Sequence, residues 1–271
     1  MEFRERAVVE MADALWQAEV QRAPIAPLTD DRPELTVADG YAVQAHNVAR
    51  RVAAGGVIRG RKVGLTSRRT QQLLGVDEPT FGVLLQDMIV DDGAELELSG
   101  LVAPRVEAEL AFLLATDLTG PNVSTEEALA AIGGVLPAIE VADSRVVDWR
   151  RRIADTVADN AAAARVVLGR RSIPAEQLDL RLLGVLLSRN GNPIDSGAGA
   201  AALGHPAACL SWLANTLAGY GEGLRRGEIV LPGAMTRMVP VRPGDEFRAE
   251  FAHLGAVSVR FGREHVDAGA A

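Results

Sequence analysis

Apolar residues recur at helical spacing from the start of the chain. Val8, Met11, Leu15, Trp16 and Val20 fall on one face of a helix predicted over residues 5–21. Pro24, Pro27 and Pro33 break that pattern. Thr36 then caps a second predicted helix carrying Val37, Tyr41, Ala45, Val48 and Val52 on one face, and Gly55 and Gly56 end it. These two helices, residues 1–56, read as a helical cap on a second unit spanning 57–265. The texture changes at Val57, where residues 57–65 read as a strand whose glycines, Gly60 and Gly64, let a backbone or a ligand come close. Thr66 or Ser67 caps a short helix holding Gln71, Leu73 and Leu74. Residues 75–82, Gly-Val-Asp-Glu-Pro-Thr-Phe-Gly, follow as a turn-rich loop of the kind that acts as a lid.

Short strands are predicted over 83–90 and 94–98. Ser124 and Thr125 precede Glu126 and Glu127, a helix start that runs to Ile132 and delivers the chain to the apolar run 134–139. Residues 147–164 mix Asp148, Arg150, Arg151, Arg152, Asp155, Asp159 and Asn160 with small side chains and fit no single period. Asn190-Gly191 marks a hairpin, because both residues tolerate positive φ. His205-Pro206 opens a helix through Leu210, Leu213 and Leu217 that Gly219 closes. Residues 228–231 and 245–261 are strand-rich, and the tail after Arg263 is expected to fray.

One strand carries charge where burial is expected. In 104–112, Glu107 and Glu109 sit two positions apart, so they share a face while Val106, Ala108 and Leu110 take the other. Their Cα atoms lie about 7 Å apart, and bare charges at that distance repel by roughly 2 kcal/mol at an effective dielectric of 20. Something positive belongs between them. Glu140, at the end of the apolar run, adds a third carboxylate, and three such groups make a hard, oxygen-rich site suited to Mg²⁺ or Mn²⁺. On spacing alone, the solvent face of an amphipathic strand, paired with Arg105 or Arg145, is the commoner arrangement.

Composition narrows the classes. The 271 residues are 48% hydrophobic and 24% charged, ordinary for a globular protein, and no stretch nears the length of a membrane span. A net charge of -8 argues against nucleic acid or an anionic membrane and for a small-molecule or protein partner. The single cysteine, Cys209, rules out an intrachain disulfide and reads as a core residue, while His46 reads as a structural or surface histidine. The charged, amphipathic N-terminus is unlike a signal peptide, so the expected location is cytoplasmic. A Gly-x-Ser-x-Gly elbow is absent and the four histidines are scattered, against a serine hydrolase.

Taken in order, Gly60-Arg-Lys-Val-Gly-Leu-Thr66, Gly75-Val-Asp-Glu-Pro79, Pro104-Arg-Val-Glu-Ala-Glu109, Glu140-Val-Ala-Asp-Ser-Arg145, Ala158-Asp-Asn-Ala161, Leu203-Gly-His-Pro206 and Gly244-Asp245 form an ordered set. The set resembles the 2-keto-4-pentenoate (2-hydroxypenta-2,4-dienoate) hydratases and their 4-oxalocrotonate decarboxylase relatives, in the fumarylacetoacetase-like superfamily. The resemblance spans nearly the whole chain from about Ala26 to Phe261. It implies an α+β fold, a mixed and mainly antiparallel β-roll core with flanking helices, and a homo-oligomer. It implies that Mg²⁺ or Mn²⁺ is held by Glu107, Glu109 and Glu140.

The implied reaction adds water to a 2-hydroxydienoate to give a 4-hydroxy-2-oxoalkanoate, in meta-cleavage degradation of aromatic compounds or sterol rings. Lys62 is then expected beside the developing enolate and Asp77 as a proton carrier in the lid loop. Thr66, Asn160 and Thr236 become substrate contacts, with Phe81 and Leu84 walling the apolar part. The motifs at 75–82 and 155–160 look more like hydratases, whereas Thr236 also suits the decarboxylases, whose second carboxylate pocket would draw on Arg150, Arg151 or Arg152. A complex with a downstream aldolase or a sister decarboxylase belongs to the same expectation. A non-catalytic, metal-stabilised binding protein is the alternative from another class.

Overall fold

The structure is a computed structural model that describes residues 2–263. The expected frayed tail, and with it the end of the 57–265 unit, lies outside the described residues. Helix α1 spans Glu2–Gln21, a single turn α2 spans Leu28–Asp31 and α3 spans Val37–Ala53. Thr36 caps α3 reciprocally: its hydroxyl accepts from the Asp39 N–H at 3.2 Å and the Asp39 carboxylate accepts from the Thr36 N–H at 3.1 Å. Met11, Ala12 and Leu15 pack on Val43 and reach beyond the helices to Val146 and Ala158.

Strand β1 (Ile58–Gly64) leads through α4 (Arg68–Leu74), capped by Ser67, to β2 (Thr80–Leu85), β3 (Ile89–Asp91) and β4 (Glu95–Leu96). The expected loop ends earlier than its composition suggests. Residues 80–82 are strand, because β2 pairs with β1 from Thr80 opposite Gly64 to Leu85 opposite Ile58. The expected strand at 83–90 is interrupted by a 3-10 turn at Gln86–Met88. Next come β5 (Arg105–Leu114), α5 (Thr125–Ala130), β6 (Ile132–Ala142), α6 (Ile153–Ala158) and β7 (Ala163–Leu168). The hairpin β8 (Gly184–Arg189) and β9 (Asn192–Ala198) turns at Asn190 and Gly191, with φ of 52° and 78°. Helix α7 (Pro206–Ala218) precedes β10 (Ile229–Leu231), β11 (Val239–Pro240), β12 (Glu246–Phe251) and β13 (Gly255–Phe261).

One sheet runs β2-β1-β10-β5-β6-β7-β3, with β11 also on β5, and the other runs β4-β13-β12-β8-β9. Eight ladders are antiparallel and three parallel, so the fold is α+β with a mixed, mainly antiparallel core. Val106, Ala108, Leu110 and Phe112 join Phe247, Ala249, Val257 and Val259 in the core between the sheets. Alternation along β5 therefore turns Glu107, Glu109 and Ala111 to the opposite face. That face gathers a second, smaller apolar cluster of Leu84, Ala111, Ala138, Ala163, Val166, Ile229 and Leu231.

The segment that fits no period, 147–164, is built around a buried ion pair. The Arg145 guanidinium pairs with the Asp159 carboxylate and donates to the Asp159 carbonyl at 2.7 Å, while the Arg145 N–H donates to the same carboxylate at 3.0 Å. This anchors a turn in which Asn160, Ala161 and Ala162 all have positive φ, at 50°, 51° and 59°. Each costs roughly 1–2 kcal/mol, so the surroundings must impose the conformation. Replacing Arg145 by Met would leave Asp159 buried without its partner. We expect a loss of about 3–5 kcal/mol in urea unfolding; a loss under about 1 kcal/mol would show that the pair does not hold the turn.

Candidate metal and active site

The register of β5 on β6 sets Glu107 opposite Glu140 and Glu109 opposite Ala138. One carboxylate oxygen from each glutamate lies within 4.8 Å of the others. Glu140 and Glu109 are 0% and 1% exposed, so water cannot spread their charge. Lys62 reaches over from β1, its Nζ 2.9 Å from Glu140 Oε1 and donating to the Ala161 carbonyl at 3.1 Å. The strained turn therefore aims one of its carbonyls at the site's cation. The Gly233 N–H donates to Glu109 at 3.1 Å. Gly233 has φ of 118°, and a Cβ there would stand 2.2 Å from the Thr66 hydroxyl, so only glycine fits.

Three carboxylates face one ammonium. At 4.8 Å each like pair repels by about 3 kcal/mol at a dielectric of 20. Burial first, then the Glu140 charge, raises the Glu107 pKa to about 7 against the pull of Lys62, Arg151 and Arg105. Burial, with Glu140 and Glu107, also raises Glu109 well above the usual carboxylate range. Burial works to lower Lys62, but the carboxylates of Glu140, Glu109 and Glu107 outweigh it and the pKa is raised. Lys62 is near Glu140 yet off the hydrogen-bonding direction, and neither Glu140 oxygen has a hydrogen-bond partner among the described residues. Buried hard oxygens that outnumber their ammonium partner three carboxylates to one once ionised fit a divalent cation.

The sheet register decides which other expected residues join them. Lys62 pairs with Gly82 and Leu231, and Gly60 with Leu84, so Leu84 shares the face of Lys62 and the glutamates. Phe81 does not. It lies three positions from Leu84 in a strand and points the other way, stacked on Tyr41 at 4.4 Å and edge-on to Tyr220 at 6.0 Å. Thr66 is buried against Gly233, beside the N–H that holds Glu109. The Thr236 hydroxyl accepts from the Ala108 N–H at 3.0 Å and ties the loop after β10 to β5. The Asn160 amide is bonded at both ends to the Val83 backbone, at 2.8 and 2.9 Å, so it clamps the turn to β2. Asp77 stands exposed in the loop before β2, and no hydrogen bond joins it to Lys62 or the glutamates among the described residues.

Thr80 is the residue that reading 75–82 as a loop concealed. It is 1% exposed, and its hydroxyl has no hydrogen-bond partner among the described residues. A Cβ on Gly64 would lie 3.0 Å from that hydroxyl and 3.5 Å from Lys62 Nζ, so the two polar ends converge on the space that glycine leaves open. The same parity of Thr80, Gly82 and Leu84 was the available signal.

The fumarylacetoacetate hydrolase C-terminal model matches residues 37–261. The chain belongs to this family. The 2-keto-4-pentenoate hydratase of Paraburkholderia xenovorans (strain LB400) is 46% identical over 252 residues, 93% of this chain and 94% of the relative. The 2-oxo-hept-4-ene-1,7-dioate hydratase of Escherichia coli is 42% identical, covering 93% of this chain and 96% of its own. Among solved structures, 4-oxalocrotonate decarboxylase from Pseudomonas putida G7, complexed with magnesium and adipate, superposes with a TM-score of 0.92 at 39% identity over 95% of this chain and 98% of that one. The chain and that decarboxylase therefore share one architecture over nearly their whole lengths.

Raised carboxylate pKa values have a signed consequence. Without a cation, Glu107 and Glu109 favour their protonated forms, so the fold loses stability as pH rises through about 7. A dication needs the ionised forms and must displace more protons as pH falls. The gain in Tm on adding Mg²⁺ should be large at about pH 8 and shrink by about pH 5.5, followed by differential scanning fluorimetry. A gain that does not change with pH, or that survives in Glu109→Gln, would refute the ligand assignment.

Proposed function

We propose that this protein is a hydro-lyase that adds water to 2-hydroxypenta-2,4-dienoate, or a close homologue, giving 4-hydroxy-2-oxopentanoate. The observation that carries this reading is the buried Lys62 ammonium set against Glu140 beside two further carboxylates, a constellation matched to an acid whose 2-oxygen gains negative charge. The hydratase names of relatives at 42–46% identity support it.

A divalent cation held by Glu107, Glu109 and Glu140 would supply charge stabilisation at the substrate's 2-oxygen and carboxylate. The chain's own residues do the rest. Ketonisation moves the 2-hydroxyl proton to C5, after which water delivers its hydroxyl to C4 and a proton to C3. Lys62, kept protonated by its neighbours, offers a fixed positive charge and a hydrogen-bond donor where the enolate forms. The Thr80 hydroxyl, beside Lys62 and unpartnered, is placed to hold or pass a proton. Leu84, Leu231, Ala138 and Val166 give the hydrocarbon tail an apolar floor and keep stray water off it. Thr66 and Thr236 serve by steadying the Glu109 and β5 surroundings. Asp77 would reach the reaction only if its loop moved inward.

Decarboxylation is the second reading, favoured by the TM-score of 0.92 to a decarboxylase. The native metal, Mg²⁺ or Mn²⁺, a homo-oligomeric state, a companion aldolase or decarboxylase and a cytoplasmic location belong to the same proposal. No described helix is long and apolar enough to cross a membrane.

With Mg²⁺ and either 2-hydroxypenta-2,4-dienoate or 2-oxohex-3-enedioate, mass spectrometry should find one water gained on the first substrate. Loss of CO₂ from the second with the first untouched would instead establish the decarboxylase. Lys62→Met should lower kcat by about a hundredfold or more while Mg²⁺ still raises Tm. An unchanged kcat would remove Lys62 from the mechanism.

A further inference from the structure

Three glycines border Lys62 on its own face of the sheet, and two of them are there for the backbone. A Cβ on Gly60 would lie 1.7 Å from the Ile229 carbonyl oxygen, and one on Gly82 would lie 2.4 Å from that of Asn160. Gly64 is different. It ends β1 opposite Thr80, and its φ lies outside the left-handed region. Beyond its chain neighbours, the described heavy atoms within 4 Å of a Cβ there are Thr80 Oγ1 at 3.0 Å and Lys62 Nζ at 3.5 Å. Glycine weakens a strand relative to alanine, so its use where the backbone makes no demand is explained by the room it leaves.

Both atoms that border this room are polar, and both belong to buried side chains. Thr80 is 1% exposed and its hydroxyl has no partner among the described residues, a costly arrangement unless something small completes it. The Lys62 ammonium has three N–H donors and faces Glu140 and the Ala161 carbonyl, which leaves a third direction for another acceptor. A molecule that accepts from an ammonium, exchanges a hydrogen bond with a hydroxyl and fits where a methyl group would fit is water. Gly64 is itself half-buried, so solvent reaches the place.

We infer that the space beside Gly64, between Thr80 Oγ1 and Lys62 Nζ, binds the water molecule that adds to the substrate, and that Thr80 relays its proton. This deepens the proposed hydro-lyase reading and rests on it. As the water oxygen bonds to C4, the C3=C4 π pair passes into the enolate that Lys62 faces. The water gives one proton to the Thr80 oxygen, Thr80 gives its own to C3, and the enolate pair returns to form the C3–H bond. Threonine ends as it began and no further reactant is consumed. The preceding ketonisation takes up no water, so the site serves the second step alone.

Gly64→Ala puts a methyl group where the water binds. With full-length, Mg²⁺-saturated protein and 2-hydroxypenta-2,4-dienoate in D₂O, NMR follows the two steps separately: deuterium at C5, above the protein-free rate, reports ketonisation, and 4-hydroxy-2-oxopentanoate reports hydration. Gly64→Ala should lower hydration at least about a hundredfold, keep C5 deuteration within about threefold and let 2-oxopent-3-enoate accumulate. Thr80→Val should do the same without lowering Tm, because the hydroxyl it removes has no partner, and Thr80→Ser should restore hydration to within about tenfold of the unmodified rate. All three variants should keep the gain in Tm on adding Mg²⁺. Unimpaired hydration by Gly64→Ala or by Thr80→Val overturns the inference and leaves the hydro-lyase reading standing. Equal loss of both steps in Gly64→Ala also overturns it, and assigns the space to the substrate's 2-oxygen. If the unmodified protein hydrates no dienoate, the hydro-lyase reading itself fails and the water site falls with it.

Discussion

Three carboxylates on one sheet face, with one lysine at ion-pair distance among the described residues, are the constraint around which the rest of the molecule is arranged. Glu107, Glu109 and Glu140 are buried or half-buried on the side of the large sheet that turns away from the second sheet. Their mutual repulsion acts in a region with little water, so every nearby feature that limits it matters. Lys62 supplies one positive charge and the Gly233 N–H one donor. The deficit that remains suits this face to a divalent cation.

Holding Lys62 there is the work of parts far apart in the chain. Its ammonium donates to Ala161, in a turn of three residues with positive φ. That turn is tied to the segment after β6 by the Arg145–Asp159 pair and to β2 by the Asn160 amide. Gly82 makes the approach feasible, since a Cβ there would come within 2.4 Å of the Asn160 carbonyl. The stretches around 140–145 and 158–161 are thus two halves of one brace. Asn160 acts through the frame of the site, with both amide ends already engaged.

Much of the local structure was legible in sequence because its causes are local. The cap at Thr36, the capping box at Ser124 and Glu127, the Asn190-Gly191 turn and the helix opened by His205-Pro206 all form where their chemistry predicts. Each depends on residues within one turn of one another. Phe81 and Thr80 were misjudged for the opposite reason. Their loop-like neighbourhood of glycines and a proline carries a weak local preference, and pairing with β1 overrides it. Once Thr80 starts a strand, parity sends Phe81 to the aromatic trio with Tyr41 and Tyr220 and turns Thr80 towards Lys62.

By itself, the sequence determined that Glu107 and Glu109 share a face, because a strand's period of two leaves no other choice. It also determined that so charged a face needs a counter-charge, and through its ordered motifs to which family the chain belongs. Only the tertiary structure decided that Glu140 stands opposite Glu107, that Lys62 crosses from another strand to meet it, and that the Thr80 hydroxyl and the Lys62 ammonium converge beside Gly64. Those outcomes are set by strand order and register between segments distant in the chain. Local propensity carries no information about such pairings, because they exist only once the sheet has closed.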